Sequence, residues 1–481
     1  MRTALTSVLI SAILISGAAL GSMEALRSVP ASDIQYLIKT GKPVQYSNVI
    51  IKGDLRLDQL GLPIRQIKRT ENEIKSGFSE NLTVVSSSIR INDSIIDGLF
   101  DLSNALFLAE VDFSRTRFNC DADFGFSQFN RNVNFWYARF DHNSNFEISK
   151  FNGSADFWLA QFNSSANFMS SQFANTVTFR EALFNSTANF WSSKFNGNAI
   201  FIDSRFNNFV SFEDSRFNKS ANLRNTQFRG DADFKSSYFD STADFRESHF
   251  NRTVDVRDSR FNGYSNFENS RFNNYANFKN TQFRNGADFM GSYFDSTADF
   301  TESKFDGVLD FTGIIYKNLI FNWFSIKNPY YFSSDRTGYL SLIKYFKDIG
   351  DFSSADDCFY HYKIWVLLSE NQSWTMRFMD FIILISCGYC VKPLNTIILD
   401  FILIILFGLI YRWTEILQKQ GSSSISYRDA IFFSAAIFLT LHHAHGWRYS
   451  DRWRYLIMFE HILGLILMTL FVITMTNVVL R

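Results

Sequence analysis

Large apolar residues recur through the middle of the chain on a frame that alternates intervals of five and six residues. From Ile91 to Phe311 nearly every frame position is Phe, and the exceptions after Phe107 are the apolar Leu223 and Val256. A small or β-branched residue stands two positions before most of them. Side chains at i and i−2 point to the same side of an extended segment, whereas a helical face needs spacings of three and four. The pattern therefore predicts short extended segments with an eleven-residue period.

A period held over this length is typical of a solenoid, because a unit this short can bury its apolar residues only against the next unit. The residues between frame positions are mostly Asn, Asp, Ser, Lys and Arg, which suit the outer turns. An internal duplication supports growth by whole units. Residues 225–250 recur as residues 280–305, and this offset of fifty-five residues equals five periods.

Motifs of the form Ala-Asp-Phe or Ala-Asn-Phe recur on this frame, for example at residues 155–157, 166–168, 188–190 and 298–300. They resemble the pentapeptide-repeat family. The resemblance implies a mainly β fold, a right-handed quadrilateral β-helix with four five-residue faces in each coil. This chain departs from the family by one extra residue in every second unit. We therefore expect coils of twenty-two residues, and about ten of them between Ile91 and Phe311.

The regions on either side of the β-helix, which we place at residues 91–325, have other patterns. Residues 1–22 have the form of a signal peptide, with Arg2 before an apolar stretch and small residues at a cleavage site. Residues 23–90, with a helix-like segment at 31–40, are interpreted as a cap over the first coil. Residues 326–375 are interpreted as a connector, because residues 336–368 have a helical period on both sides of Gly350, which predicts a helical hairpin.

Residues 376–481 are interpreted as an α-helical membrane module. Segments 394–411 and 455–480 are apolar and long enough to cross a bilayer. Between them, residues 429–441 are apolar but too few to cross, a length that suits a re-entrant half-helix. Residues 376–391 form a further short apolar segment, expected at the membrane interface.

This order of span, short helix, loop and span resembles the two-transmembrane potassium-channel-like module, most clearly at residues 427–434 and 438–440 and in the second span around Gly464. A potassium filter reads Thr-Val-Gly-Tyr-Gly, because its carbonyl oxygens replace the hydration shell of the ion. Here the corresponding residues 441–447 read LHHAHGW. The potassium-binding role is therefore not carried over to this chain.

The loop after the short helix holds the candidate metal ligands His442, His443 and His445, since imidazole suits zinc, copper or nickel. The alternative is a degenerate loop whose aromatic residues lie at the lipid interface. Polar groups in or beside apolar segments are further candidates, because burying charge in lipid is unfavourable. They are Asp400, Thr440, Gly446, Glu460 and His461.

Charge and cysteine content limit the other functions. The 47 basic and 47 acidic residues balance, which argues against a nucleic-acid partner, and four cysteines are too few for a disulfide framework. Cys387 and Cys390 have the spacing of a redox pair, but no thioredoxin-like βαβ pattern surrounds them. The chain lacks nucleophile–base, phosphate-loop and zincin motifs, so we expect neither an enzyme nor a cofactor.

Topology is predicted from two signals. Six basic residues lie between the spans, which places that loop in the cytoplasm, and the signal peptide places the β-helix outside the cell. Eight Asn-x-Ser/Thr sequons suit an exported glycoprotein, but Asn after Phe is also repeat consensus, and both interpretations remain open. They are Asn81, Asn92, Asn152, Asn163, Asn185, Asn218, Asn251 and Asn371.

Two functions fit these features. The first is a multi-pass cell-membrane protein whose extracytoplasmic β-helix is a scaffold for a surface protein or glycan, with a degenerate channel-like module as anchor. The alternative is a cation-conducting channel, a homo-oligomer assembled through the transmembrane module and organised by the β-helix. Membrane lipid is a partner in both, and nucleic acid in neither.

Overall fold

The computed structural model describes residues 26–68, 74, 80–369, 373–414, 417–419, 425–440, 447–449 and 453–479. The chain divides into two compact units, residues 1–333 and 334–481, which we call the solenoid unit and the helical unit. The predicted signal peptide lies outside the described residues.

The solenoid unit is a parallel β-solenoid of about 14 turns. Each regular turn contributes four short strands, one to each of four columns. Phe118 pairs with Phe140, and Phe140 pairs with Phe162, so neighbouring turns are offset by 22 residues. The predicted twenty-two-residue coil is confirmed.

The strands of column 1 are Arg27–Pro30, Val49–Lys52, Ile95–Asp97, Arg117–Phe118, Arg139–Phe140, Gln161–Phe162, Leu183–Phe184, Arg205–Phe206, Gln227–Phe228, His249–Phe250, Arg271–Phe272, Tyr293–Asp299 and Ile315–Ile320. The strands of column 2 are Leu55–Arg56, Phe100–Asp101, Ala122–Asp123, Ser144–Asn145, Ala166–Asn167, Ala188–Asn189, Val210–Ser211, Ala232–Asp233, Val254–Asp255 and Ala276–Asn277. Tyr293–Asp299 is long enough to pair in both columns.

The strands of column 3 are Asn81–Val85, Ala105–Phe107, Gln128–Phe129, Lys150–Phe151, Gln172–Phe173, Lys194–Phe195, Arg216–Phe217, Tyr238–Phe239, Arg260–Phe261, Gln282–Phe283 and Lys304–Phe305. The strands of column 4 are Val44–Ser47, Ile89–Asn92, Val111–Asp112, Val133–Asn134, Ala155–Asp156, Val177–Thr178, Ala199–Ile200, Ala221–Asn222, Ala243–Asp244, Ser265–Asn266, Ala287–Asp288, Leu309–Asp310 and Phe332–Ser333.

The frame residues fill the interior of the solenoid. Every one of them from Phe113 to Phe311 is buried, and the predicted burial of Phe157 and Phe168 is confirmed, since both are 0% exposed. Rings of successive turns stack in parallel, and rings within one turn meet edge to face, as Phe157 and Phe168 do at 5.4 Å. Both arrangements are favourable for aromatic rings. The small residue two positions earlier is buried too: the Ser149 hydroxyl donates to the Phe124 carbonyl, 2.8 Å away.

The alternation of five and six residues comes from the corners. Connections between strands contain three and four residues in turn, and each four-residue connection is a turn whose third residue is left-handed. In the first regular example the Thr116 amide donates to the Phe113 carbonyl and Arg115 has φ of 55°. Asp112 accepts from the Ser114 amide at 3.0 Å, which holds the turn. The Asp or Asn of the sequence motif is therefore a turn residue.

Parallel pairing extends beyond both predicted limits of the β-helix. Arg27 already pairs with Val49, and the predicted helix at 31–40 is confirmed as α1, Ala31–Lys39. The next offset is 45 residues, because the chain leaves the coil to form the antiparallel pair Ile64–Gln66 and Asn81–Val85. At the other end, the short 3-10 helices Trp323–Ser325 and Pro329–Tyr331 lie between the last strand of column 1 and the last strand of column 4. The ten predicted coils are thus only part of the solenoid.

The helical unit begins with the predicted hairpin, α2 (Arg336–Asp348) and α3 (Phe352–Ser369), which pack against each other. Phe346 of α2 and Cys358 of α3 are both buried. The described residues after this hairpin contain four more helices: α4 (Trp374–Cys387), α5 (Pro393–Trp413), α6 (Tyr427–Phe438) and α7 (Arg454–Val479). Leu417–Lys419 and Trp447–Tyr449 form an antiparallel pair. By length and composition α5 and α7 could cross a membrane. At 1.5 Å per residue the twelve residues of α6 reach about 18 Å, too short to cross.

Candidate functional site

The short helix α6 packs directly against both α5 and α7. Two glycines allow this contact. A Cβ atom on Gly408 of α5 would lie 2.8 Å from the Cα of Ile431, and one on Gly464 of α7 would lie 2.3 Å from the carbonyl oxygen of Phe438. A larger residue at either position would require the backbone to move, so the glycines set the separation of the three helices.

Apolar side chains fill the interfaces among these helices in two clusters. The first cluster consists of Phe407, Tyr411, Ala430, Phe433 and Ile457. The second cluster consists of Ile404, Phe438 and Leu467. Each cluster contains residues from all three helices, so α6 is an integral part of the core of this bundle.

A polar contact is buried among these apolar residues. Glu460 of α7 is 0% exposed, and the Tyr411 hydroxyl of α5 donates a hydrogen bond to its Oε2. The Ser434 hydroxyl of α6 contacts Oε1 of the same carboxyl group and also lies 2.9 Å from the Ile404 carbonyl oxygen. The carboxyl group thus joins one side chain from each helix.

The number of hydrogen atoms available in this contact indicates the protonation state of the Glu460 carboxyl group. Ser434 has one hydroxyl hydrogen, and the Ile404 carbonyl can only accept it. If Ser434 donates to Ile404, its contact with Glu460 is a hydrogen bond only when Glu460 supplies the hydrogen. All three close contacts are therefore hydrogen bonds only when the Glu460 carboxyl group is protonated and neutral.

Two other predicted polar residues lie close to the end of α6. His461 follows Glu460, and its Nδ1 atom is 3.1 Å from the Ile437 carbonyl oxygen, so this nitrogen carries the hydrogen. Thr440 is left-handed, with φ of 57°, just after α6 ends. His442, His443, His445 and Gly446 lie outside the described residues. Within the described part of the chain, no three His, Cys, Asp or Glu side chains are placed to hold a metal.

Asp400 lies apart from this polar contact. It is eleven residues before Tyr411 on α5, about 16 Å along the helix. Its Oδ1 atom and the hydroxyl oxygen of Thr396, one turn earlier, are buried without a hydrogen-bond partner among the residues that the structure describes. Glu460 is evident from the sequence as a candidate, but Tyr411 and Ser434 are not, since a Tyr near the end of a span and a Ser in an apolar helix are ordinary residues.

The solenoid unit presents an exposed aromatic surface on the corner between columns 4 and 1. We call Trp136, Tyr137 and Trp158 the aromatic ridge. Tyr137 is 49% exposed and Trp158 is 39% exposed, and the two Trp rings are 6.2 Å apart. The guanidinium group of Arg115 lies 5.1 Å from the Trp136 ring, a cation–π distance. Large aromatic residues grouped on a surface are typical of binding sites.

The solenoid also carries rows of side-chain amides on its outside. The Asn163 Nδ2 atom donates to Asp141 Oδ1 at 2.7 Å, Asn185 donates to Asn163 at 2.8 Å, and Asn207 donates to Asn185 at 2.7 Å. We call Asp141, Asn163, Asn185 and Asn207 the amide ladder. Two of the predicted sequon residues are therefore members of a hydrogen-bonded row that links successive turns.

Comparisons with known proteins agree with the solenoid. A family described as "Pentapeptide repeats (9 copies)" matches residues 190–237 and 234–282, all of them within the regular turns. No match was found among curated proteins or among solved structures. No channel family matches the helical unit. The chain is thus a β-solenoid with pentapeptide repeats, followed by helices of which two could cross a membrane.

Proposed function

We propose that this protein is a membrane-anchored scaffold that displays its solenoid outside the cell. The observation that carries the proposal is the pairing, in one chain, of a β-solenoid of about 14 turns with a compact unit containing two span-length helices. In this proposal α5, α6 and α7 anchor the protein in the bilayer. The aromatic ridge is the surface that receives a cell-surface protein or glycan.

The packing of α6 supports an anchor rather than a conduit within one chain. The space among α5, α6 and α7 is occupied by the two apolar clusters and by the Glu460 contact. The glycine contacts leave no room for an ion between α6 and either long helix. Conduction would therefore need a pathway formed between several copies of the chain.

A channel is the second candidate, and one observation favours it. A helix too short to cross, packed between two helices that are long enough, is the arrangement of a pore helix. The chain differs from a potassium channel in residues 441–447, which have no filter sequence. Metal binding by His442, His443 and His445 also remains a proposal, tested by the effect of Zn²⁺ on the purified protein.

Topology distinguishes the scaffold from an intracellular protein. Ser154 is exposed on the solenoid, and Ser423 lies between α5 and α6 in the sequence. We expect a membrane-impermeant maleimide to label Ser154→Cys in intact cells, and Ser423→Cys only after permeabilisation, above the background of the unmodified chain. The reverse pattern would place the solenoid in the cytoplasm and reject the proposal.

Bilayer recordings distinguish the scaffold from the channel. We expect no potassium-selective current from the purified full chain reconstituted in planar bilayers. A selective current that disappears in the Gly464→Leu variant, which forces α6 away from α7, would establish the channel instead. A folded variant with substitutions only in the aromatic ridge controls for contaminating channels, since the ridge should not alter a current.

A further inference from the structure

The connection between α4 and α5 has an uncommon backbone. Gly388, Tyr389 and Cys390 are left-handed in succession, with φ of 54°, 58° and 62°. Residues other than Gly rarely adopt this conformation, and consecutive ones require that the surroundings determine it. Such turns are found where a protein holds particular side chains in place for a function.

This turn brings the only closely spaced cysteine pair of the sequence together. The Sγ atoms of Cys387 and Cys390 are 3.2 Å apart, and the Cys390 amide donates to Cys387 Sγ at 3.2 Å. Both are free thiols. A disulfide can form between them with only a small movement of the two side chains, because the backbone already places the sulfurs next to each other.

Packing against α3 fixes the turn. Lys392, just after it, forms an ion pair with Asp357 of α3 and lies over the ring of Tyr360. The ammonium group of Lys363, also on α3, lies 5.6 Å from the ring of Tyr389. These contacts come from side chains outside the cysteine pair, so the left-handed turn does not depend on a disulfide.

The two cysteines differ in access. Cys387 is 1% exposed, whereas Cys390 is half-buried and lines a cavity of about 240 Å³. Lys347, Asp356 and Asn477 add polar groups to the cavity wall. The Tyr389 hydroxyl at this cavity is buried and has no hydrogen-bond partner among the described residues. A polar molecule that enters can therefore reach Cys390 and can bond to Tyr389.

We propose that Cys387 and Cys390 form a dithiol–disulfide exchange site for small polar disulfides. The Cys390 thiolate attacks one sulfur of the disulfide, whose S–S bond breaks, and the released thiolate takes up a proton. Cys387 then loses its proton and attacks Cys390 Sγ, which displaces the second thiol. Two protein thiols become one disulfide, and one small disulfide becomes two thiols, so that no other reagent is consumed.

The order of the two steps follows from burial. Loss of hydration, together with a smaller effect of the contact with Cys390, raises the pKa of the Cys387 thiol to about 11. A buried thiol of this kind is a poor attacker of an external disulfide at neutral pH. It is suited to the second step, in which its target is held beside it. This site is independent of the proposed topology and of conduction.

The test uses the full chain in detergent micelles, equilibrated with mixtures of reduced and oxidised glutathione. Samples are quenched with acid, unfolded, alkylated with N-ethylmaleimide and analysed by mass spectrometry. We expect the peptide that contains both cysteines to lose its two alkyl groups reversibly as the mixture becomes more oxidising. The chain unfolded in guanidinium chloride should need a mixture at least about tenfold more oxidising, because it does not hold the sulfurs together.

Two variants separate this site from general thiol chemistry. Cys387→Ser should trap glutathione on Cys390, since the second step is lost, whereas Cys358→Ser, which removes a buried thiol of α3, should leave the exchange unchanged. Equal behaviour of the native and unfolded wild-type chains would reject the proposal, even if a variant failed to fold. Absence of glutathione on Cys390 in a folded Cys387→Ser variant would also reject it.

Discussion

Tyr411 and Glu460 lie 49 residues apart on different membrane-length helices, and the Tyr411 hydroxyl donates a hydrogen bond to the buried Glu460 carboxyl. Ser434 of the intervening short helix contacts the other oxygen of that carboxyl. A single acidic side chain is therefore the point at which all three helices are joined by polar contacts. Substitutions of Glu460 therefore test how the three helices are held together.

Replacing Glu460 should reveal whether its carboxyl group is neutral. Glu460→Gln keeps one acceptor for Tyr411 and supplies an N–H donor for Ser434, so we expect thermal unfolding of the detergent-solubilised chain to change little. Glu460→Leu leaves the buried Tyr411 hydroxyl without this acceptor and leaves Ser434 with only the Ile404 carbonyl, so it should destabilise the chain by about 1–3 kcal/mol. If Gln destabilises the chain as much as Leu does, the carboxyl group is charged.

Phe234 and Lys235 are adjacent in the sequence, but the first side chain lies inside the solenoid and the second lies outside it. Phe234 is 1% exposed and its ring stacks 5.0 Å from that of Phe212, whereas Lys235 points outward to Glu213. Phe234→Ala should destabilise the solenoid by about 3–5 kcal/mol through lost burial and the cavity left behind. Lys235→Ala should change stability by less than about 1 kcal/mol, since it removes only a surface ion pair.

Denaturant unfolding of the full chain measures both variants. Because each turn contacts only its neighbours, the Phe234→Ala variant is expected to unfold first around the substituted turn and to lose cooperativity. Equal midpoints for the two variants would show that the inward and outward assignment of these residues is wrong.

The regular turns could be predicted from the sequence because every turn repeats the same environment. The Phe frame, its small neighbours and the twenty-two-residue coil all follow from that repetition. The first turns were harder to identify, since their inward residues are aliphatic, such as Val29, Val49 and Ile51, and the 45-residue offset breaks the period. Solenoid ends carry atypical residues because they face no further coil.

The corner conformation and the Glu460 contact could not be predicted. Left-handed turn positions usually hold Gly or Asn, but here Tyr137 and Ile148 occupy them, so residue type gave no signal. The contact among Tyr411, Ser434 and Glu460 depends on how three helices pack, and no periodicity encodes it. The redox spacing of Cys387 and Cys390 was visible, but their proximity to a cavity was not.

Two carboxyl groups of the solenoid should respond to pH in opposite directions. Burial raises the pKa of Asp123 above its ordinary value of 3.8, an effect that outweighs the hydrogen bonds from Gly125 and Asn145. For Asp141 burial acts in the same direction, but hydrogen bonds from Arg139 and Arg117 prevail and lower the pKa below 3.8.

The sign of each contribution follows from linkage between protonation and folding. Asp123 binds a proton more readily in the folded chain, so its contribution to stability declines as pH rises from 3.8 through its folded pKa. Asp141 binds a proton less readily in the folded chain, so its contribution is present above 3.8 and declines as pH falls through its folded pKa. Asp123→Asn should therefore raise the unfolding midpoint at pH 7, and Asp141→Asn should lower it.

The test is a set of thermal unfolding curves between pH 3 and pH 7. The advantage of Asp123→Asn over the wild-type chain should vanish at pH 3, where the aspartate is protonated in both states. In the next two strands of the same column, the paired position holds Asn145 and then Asn167. An Asn at position 123 therefore suits the local structure. A lower midpoint for Asp123→Asn at pH 7 would show that its charge is stabilising.

The amide ladder predicts that the sequons at Asn163 and Asn185 remain without glycan. Glycosylation takes place on the Nδ2 atom, and in both residues this atom donates along the ladder at 2.7 and 2.8 Å. Attachment replaces one of the two amide hydrogens and places a bulky sugar beside the neighbouring turn, so the ladder hydrogen bond, worth about 1 kcal/mol, is kept only if the remaining N–H still points along the ladder. We expect peptides that contain these residues to show unmodified masses after the chain is expressed at the surface of a eukaryotic host, while a sequon added in a terminal tag is occupied. Glycan on Asn163 or Asn185 in the folded protein would mean that modification precedes formation of the ladder.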